Sequence, residues 1–275
     1  ASYDIIGLIG IGLSVLGFFV LTEPERGVYD AKKKDDLDQI KLQQKSVLQK
    51  FFSAGSELFV NPTCRYATIG GAFRFFGGYS IGFFMPSYFN NIYSDKKTEY
   101  AVLNAAIVSF CGFCSAYAGG YISDVYEKKG VFMTKAYVCI FAGLAGIPTS
   151  YFCLWFQNNF WFSITFLALE YLFAESWFSP AIAMVLNTIS PENRGFAVSV
   201  YIFTCTIAGT LATWLLGLLS AKYVGEMTND DGTKSPIHPE YFGYILFYFI
   251  LISYGGSLPF FILAGRNYTQ VKRKE

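Results

Sequence analysis

Residues 158–186 read NNFWFSITFLALEYLFAESWFSPAIAMVL, and this stretch decides the class of fold. It is longer than the roughly 20 apolar residues that a helix needs to cross the hydrocarbon core of a bilayer. It nevertheless holds two glutamates, Glu170 and Glu175. A carboxylate near a bilayer centre costs about 2.5 to 3.5 kcal/mol even on insertion scales, so it indicates a water-filled path or a buried partner.

The rest of the chain has the same character. Of its 275 residues, 53% are hydrophobic and 15% are charged, and the mean hydropathy is +0.36. Seven stretches are long enough to span a membrane, and because lipid offers no partner to backbone polar groups, each is predicted to be a helix. The sequence therefore predicts an all-α, polytopic membrane helix bundle with spans at about 5–21, 66–89, 99–122, 133–156, 159–187, 196–221 and 241–264.

Basic residues predict how the spans are oriented. Sixteen of the 21 lysines and arginines fall in the 22–65 linker, the loops after the third and fifth spans, and the C-terminal tail, whereas the opposite loops hold four. This bias predicts that the linker and the C-terminus lie on the cytoplasmic or matrix-like side. The membrane itself is left open between plasma membrane and organelle, including the mitochondrial inner membrane. The first span has no basic n-region and no cleavage site, so it is predicted to be a true membrane helix rather than a signal peptide.

The segment between the first two spans has a different pattern. Apolar residues at helical spacing alternate with lysines and aspartates between Lys32 and Phe52, which predicts an amphipathic helix on the membrane surface. A solvated tether with some helical content is the alternative. The predicted organisation is one membrane helix at 1–22, a charged linker at 23–65, six helices at 66–264 and a basic tail at 265–275.

Sequence motifs of enzymes and cofactor sites are missing. The chain has one histidine, no nucleotide-binding G-x-x-x-x-G-K-[ST] loop and no H-E-x-x-H helix, so no enzymatic activity, cofactor, metal or nucleic acid is expected. The CGFC stretch at 111–114 lies inside a span and is interpreted as packing. The glycine-rich stretch at 70–78, with Gly78 and Gly82 four residues apart, predicts close helix packing.

Several loops together resemble those of one family. GGYISDVYEKKG at 119–130 resembles the loop signature of major facilitator superfamily transporters, and ISPENRGFAVSV at 189–200 resembles the loop before their eleventh helix. FFMPSYF at 83–89 and LTEPERG at 21–27 are similar to the ends of their seventh and sixth helices. The resemblance implies that the seven spans correspond to helices six to twelve, the C-terminal half of the fold, with the spinster-like branch the most similar. It also implies secondary active transport by alternating access against an N-terminal half, from the same precursor or a second chain.

The resemblance also implies which residues form a gate. The loop implies a gate built from Asp124, Lys128, Lys129, Arg194 and Gly195, with Asp124 lying near Arg194 at the start of the sixth span. Val125 and Glu127 depart from the family signature, in which a basic residue usually follows the aspartate and a glycine comes soon after.

The charges inside the spans predict a solute site. Arg74, Glu170 and Glu175 are expected to face an inner cavity, and Trp177 is a further candidate for substrate binding or proton coupling. Helix geometry places Glu175 and Arg74 at similar depths, so Glu175 rather than Glu170 is predicted to meet Arg74. Pro180 is expected to bend the fifth span just beyond this pair. Arg74 would then hold an anionic group of a small organic, possibly amphipathic, solute while a glutamate carries a proton or competes for the arginine. The alternatives are an ion pair that only pins two helices, and a structural membrane subunit that retains the fold without transport.

Overall fold

The computed structural model describes residues 2–20, 47–228 and 234–274. Two units are distinguished, Ala1–Lys45 and Ser46–Glu275. The described part of the first unit is helix α1, Ser2–Val20, an apolar helix of 19 residues.

The described part of the second unit is almost entirely helical. Its long helices are joined by short turns, and several are interrupted by a tighter or wider turn. A short antiparallel hairpin precedes the last helix. In chain order the elements are α2 (Val47–Val60), α3 (Pro62–Ile92), a 3-10 turn (Ser94–Lys96), α4 (Lys97–Ala106), a π segment (Ile107–Cys111), α5 (Gly112–Lys128), α6 (Thr134–Trp155), α7 (Phe160–Ala174), a 3-10 turn (Glu175–Trp177), α8 (Phe178–Leu186), a 3-10 turn (Pro191–Asn193), α9 (Arg194–Tyr223), β1 (Glu226–Thr228), β2 (Lys234–Pro236) and α10 (Pro239–Lys272).

These helices coincide with the seven predicted spans. Four described segments are long and apolar enough to cross a membrane by length and composition, and Gly10–Val20 is a shorter apolar helix. The four are Ser94–Lys128, Thr134–Trp155, Arg194–Tyr223 and Tyr241–Lys272. The prediction of an all-α membrane helix bundle is confirmed, and within the described ranges the hairpin is the departure from it.

Helix α3 lies at the centre of the second unit and packs against α9 and α10. Glycines allow the close approach: a Cβ on Gly71 would lie 2.4 Å from the Tyr201 hydroxyl of α9, and one on Gly77 would lie 2.4 Å from Ser253 Oγ of α10. The prediction for Gly78 and Gly82 is wrong, because a Cβ at either position would meet open space. Packing glycines therefore lie in the predicted stretch, at Gly71 and Gly77 rather than at Gly78 and Gly82.

The linker is partly described. Helix α2 covers its C-terminal part, and residues 21–46, on which most of the predicted amphipathic helix falls, lie outside the described residues. Leu58 of α2 is fully buried among residues of α3 and α9, whereas Phe52 and Val60 are both 72% exposed. The helix α2 is thus amphipathic, and its apolar side chains are divided between protein packing and the exposed surface. At the other end of the chain, α10 continues to Lys272, so most of the predicted tail is helical.

Candidate functional site

Arg74 is buried in the first half of α3, with 2% of its surface exposed. It lies twelve residues after Pro62, or about 18 Å along the helix. Its Nη2 donates a hydrogen bond to the carbonyl oxygen of Ala174, the last residue of α7. The guanidinium carbon also lies 3.6 Å from the ring centroid of Tyr254 and 5.5 Å from that of Trp177, both within cation–π range. Arg74 therefore joins α3, α10 and the break between α7 and α8.

Tyr254 links Arg74 to a carboxylate. Its hydroxyl donates a 2.5 Å hydrogen bond to Oε1 of Glu170, which is 1% exposed on α7. The tyrosine ring is held in a slot between two glycines: a Cβ on Gly146 of α6 would lie 2.5 Å from Tyr254 Cε2, and one on Gly77 would lie 2.9 Å from its Cε1. The ring position, and with it the Glu170 contact, depends on the absence of side chains at Gly77 and Gly146.

Three polar side-chain atoms at this site have no hydrogen-bond partner among the described residues. Arg74 Nε, Arg74 Nη1 and Glu170 Oε2 are buried and have no partner among the described residues. Buried polar groups are normally paired, and each exception needs an explanation such as a water or a ligand. Two guanidinium nitrogens are therefore free to donate hydrogen bonds, each to a separate acceptor such as a water or an anionic oxygen. These nitrogens are therefore the donors that a bound water or anion would meet at this site.

The predicted contact between Arg74 and Glu175 differs from the structure. Among the described residues no ion pair joins Arg74 to Glu170 or Glu175. Glu175 is partly exposed in the 3-10 turn Glu175–Trp177, directly after the carbonyl that Arg74 contacts. The depth estimate assumed one continuous helix from Glu175 to Asn187, and the break invalidates this assumption. Trp177, another of the candidate residues, lies beside Arg74.

The break itself has an identifiable cause. Pro180 has no N–H to donate to the carbonyl of Ser176, four residues earlier, and its ring crowds that carbonyl. Gly119 of α5 packs against the same carbonyl, since a Cβ there would lie 2.1 Å from Ser176 O. The chain therefore bends in the turn before Pro180, whereas the sequence suggested a bend just beyond the charged pair.

A second polar cluster lies at the predicted gate. Lys135 of α6, 1% exposed at its side chain, forms ion pairs with Asp124 at 2.8 Å and with Glu127 at 3.0 Å. Tyr268 of α10 donates a hydrogen bond to Glu127, and Asn187 donates one to the Tyr268 hydroxyl at 3.0 Å. The cluster joins the ends of α5, α6, α8 and α10 on the predicted positive side.

Asp124 was predicted to lie near Arg194 at the start of α9, but its partner is on α6. Arg194 donates its Nε hydrogen to the carbonyl of Leu186 at 3.1 Å, and Asp124 pairs with Lys135 instead. Lys128 and Gly195 are exposed, and Lys129 lies 5.2 Å from the ring centroid of Tyr126. Lys135 is the second residue of α6, five residues after Gly130, so it is nearer to Asp124 along the chain than Arg194 is. Glu127, which departs from the family signature, supplies the second carboxylate of the cluster.

Helix α2 is tied to the loop before α9 by one carboxylate. Glu57 accepts hydrogen bonds from the Ser190 N–H at 2.7 Å, the Ser190 hydroxyl at 2.8 Å and Asn193 Nδ2 at 2.6 Å. Partial burial raises the pKa of Glu57, but the hydrogen bonds from Ser190 and Asn193 outweigh burial and hold the pKa below its ordinary value of 4.5. The charged form of Glu57 is therefore the one that holds the linker helix in place.

Sequence reasoning missed Tyr254, Lys135 and Glu57. Tyr254 is one of 20 tyrosines, and nothing in its local sequence separates it from those that face lipid. A signal did exist for Lys135, because a lysine at the start of a predicted span needs a partner and two acidic residues precede it in the same loop.

Comparison with known proteins agrees with this architecture. Residues 1–213 match the family model of the Major Facilitator Superfamily. A curated MFS-type efflux pump of Mycolicibacterium smegmatis (strain ATCC 700084 / mc(2)155) is 22% identical over 190 residues, which cover 69% of this chain and 43% of the pump. The crystal structure of a bacterial homologue of the human lysosomal transporter Spinster, in an inward-facing and unoccupied conformation, is similar with a TM-score of 0.55 and 18% identity. That similarity covers 98% of this chain and 58% of the homologue. The chain thus spans about half the length of the relatives that it matches.

Proposed function

Because this chain belongs to the Major Facilitator Superfamily, we propose that it forms the C-terminal half of a secondary active transporter that moves a small organic solute across a membrane by alternating access. The chain is an integral, multi-pass membrane protein of a transporter family, not of an enzyme family. In such folds the solute site lies near the membrane midplane, between two halves that rock against each other. The opposing N-terminal half comes from the same precursor or from a second chain.

The buried Arg74 site carries this proposal. Burying a guanidinium with two unpaired nitrogens costs free energy, which a binding role explains and a packing role does not. Arg74 would donate a hydrogen bond from Nε or Nη1 to an anionic group of the solute, with Trp177 beside the guanidinium. Glu170 and Glu175 would carry a proton or compete with the solute for Arg74.

The Asp124 cluster supplies a candidate gate. Its ion pairs join α5 to α6 at the predicted positive side, where Lys128, Lys129, Arg194 and Gly195 also lie. Breaking the Lys135 pairs would leave a buried ammonium without a counter-charge, so the cluster favours one closed arrangement of these helix ends. In the proposed cycle it holds this side closed in one state and opens in the other.

The structural alternative keeps one observation in its favour. Arg74, Tyr254 and Glu170 already connect three helices, so the same network could pin the bundle in a membrane subunit that does not transport. The two functions differ in what removal of the charge does. If Arg74 only holds the helices together, its removal should prevent folding. If Arg74 binds the solute, its removal should leave a folded protein that no longer takes up the solute.

The test is uptake by proteoliposomes that hold this chain together with its N-terminal half. The substitutions are Arg74→Ala, Arg74→Lys and Glu170→Gln, and Glu99→Gln, in the first turn of α4 and away from the site, is the control. With a panel of radiolabelled small organic anions, we expect Arg74→Ala to abolish uptake of the transported anion and Arg74→Lys to lower it at least tenfold, because an ammonium does not reproduce the planar, fixed donor directions of a guanidinium. Folded yield is measured by size-exclusion chromatography. Normal uptake by Arg74→Ala would refute the transport role of Arg74, and a loss of folded yield that matches the loss of uptake would favour the structural alternative.

A further inference from the structure

A cavity lies beside the α7–α8 break. It has a volume of about 570 Å³ and is enclosed by α5, α6 and the segment 172–176. This volume is within the range of about 300 to 1,000 Å³ found for small-molecule sites. Its walls are mainly apolar, including Ile122, Val138, Phe141 and Leu172.

The cavity is elongated and reaches from one membrane boundary toward the middle of the bilayer. On α5 it extends from Ile122 to Cys114, and on the antiparallel α6 from Thr134 to Phe141. At 1.5 Å per residue these two walls measure about 12 and 10 Å. Tyr137 and Phe141 on its rim are 57% and 54% exposed in a membrane-spanning helix, so the cavity opens toward lipid. A ligand would enter it from the bilayer.

One polar group inside the cavity is unpaired. Ser115 lines the deep end, is 1% exposed, and its hydroxyl has no hydrogen-bond partner among the described residues. Buried hydroxyls of α3 such as those of Ser80 and Thr68 bond to the carbonyl four residues earlier, whereas Ser150 of α6 is unpaired like Ser115. For Ser115 that carbonyl belongs to Cys111, the last residue of the π segment, where the regular helix is interrupted. Such π segments are frequent at functional sites.

We propose that this cavity is a binding site for a slender, membrane-dissolved hydrophobic molecule that carries one hydroxyl or carbonyl group. The apolar body lies between α5 and α6, and the polar group exchanges a hydrogen bond with Ser115. A simple hydrocarbon chain would leave the Ser115 hydroxyl unpaired, which is why the polar group is part of the proposal. The site is distinct from the Arg74 site, but its inner wall includes Phe173 and Ser176, which flank the Ala174 carbonyl that Arg74 contacts.

The experiment uses two photoreactive probes of equal length on the full chain in nanodiscs. One is a long-chain alcohol with a diazirine, and the other is the matching hydrocarbon without the hydroxyl. Labelled residues are mapped by mass spectrometry, and unlabelled alcohol is added as competitor. We expect saturable labelling around Tyr137 and Phe141 by the alcohol probe, and only non-saturable labelling by the hydrocarbon.

Two variants and a control separate binding from folding. Ser115→Ala is expected to weaken competition by the alcohol about fivefold, the effect of one typical hydrogen bond. Ala118→Leu fills the cavity from an exposed rim position and is expected to abolish saturable labelling. Ser109→Ala, an exposed position on the same span, should change nothing. Equal, non-saturable labelling by both probes, or a Ser115→Ala variant that binds as the parent does, would overturn the proposal.

Discussion

At the scale of single residues, Tyr254 connects the charges of the candidate site. Its ring lies against Arg74 and its hydroxyl donates to Glu170, so the cation and the carboxylate share a neutral intermediary instead of an ion pair. A direct buried pair loses much of its attraction to desolvation, whereas a hydroxyl can satisfy a carboxylate at a lower desolvation cost.

Tyr254→Phe should therefore destabilise the protein without disturbing the packing around Arg74. The variant leaves Glu170 Oε1 without its donor, and we expect a loss of about 1 to 3 kcal/mol in the free energy of unfolding. Thermal unfolding in detergent micelles measures the change. Tyr248→Phe, on an exposed face of the same helix, is the control and should be neutral. Equal stability of the two variants would show that the Tyr254 hydroxyl contributes nothing.

The sequence predicted the charged residues of the site but not how they meet. Arg74, Glu170 and Glu175 are conspicuous because each is a charge within a lipid-length stretch. Their contacts depend on the turn at Glu175–Trp177 and on the ring of Tyr254, which comes from a helix about 80 residues further along the chain. That long-range contact cannot be predicted from local spacing or from helix geometry.

At the scale of helices, glycines decide which faces pack. Gly146 and Gly78 are both helical glycines, but a Cβ on Gly146 would strike the Tyr254 ring and the Ala174 side chain, whereas one on Gly78 would meet nothing within 4 Å. Both positions hold glycine, but only Gly146 has a neighbouring helix close enough to exclude a side chain.

Gly146→Ala and Gly78→Ala should consequently change stability in opposite directions. Overpacking at Gly146 is expected to cost about 1 to 3 kcal/mol and to shift Tyr254 off Glu170. At Gly78 the alanine removes backbone entropy from the unfolded chain and should add up to about 1 kcal/mol. Chemical denaturation in mixed micelles compares the two variants, and destabilisation by both would mean that α3 is packed on that face too.

The contact between Glu57 and the loop before α9 predicts a pH dependence of helix α2. The folded-state pKa of Glu57 is lowered, so its stabilisation is complete above the ordinary pKa of 4.5 and is lost as the pH falls from there through the folded pKa. Hydrogen exchange of residues 47–60, corrected for the intrinsic pH effect, should be faster at pH 4 than at pH 7. In Glu57→Gln the amide group opposes the Asn193 donor, so exchange should already be fast at pH 7 and change little with pH. A parent protein with equal protection at both values would argue against this role.

At the scale of the whole molecule, basic residues predict the orientation in the membrane. The turn after α5 belongs to the side that carries most lysines and arginines, and the turn between α6 and α7 belongs to the other side. This sidedness could be read from the sequence because it depends only on counting charges between spans.

Single added cysteines should report opposite sides. Val131→Cys lies after α5 and Asn158→Cys lies between α6 and α7, and both positions are exposed. In intact cells we expect a membrane-impermeant maleimide to label Asn158→Cys and to label Val131→Cys only after permeabilisation. The parent chain, whose six cysteines are buried or partly buried, provides the background. Labelling of both variants in intact cells would contradict the predicted topology.

The backbone carbonyl that holds Arg74 has a consequence for how the site changes when it is occupied. Ala174 ends α7, so Arg74 meets the negative end of a helix dipole, a counter-charge that no protonation or ligand can remove. The arginine can keep its position while the carboxylates gain or lose protons and while an anion arrives or leaves. Loading and unloading would then change the surroundings of a stationary cation, and the groups that move would be Glu170, Glu175 and the ring of Tyr254.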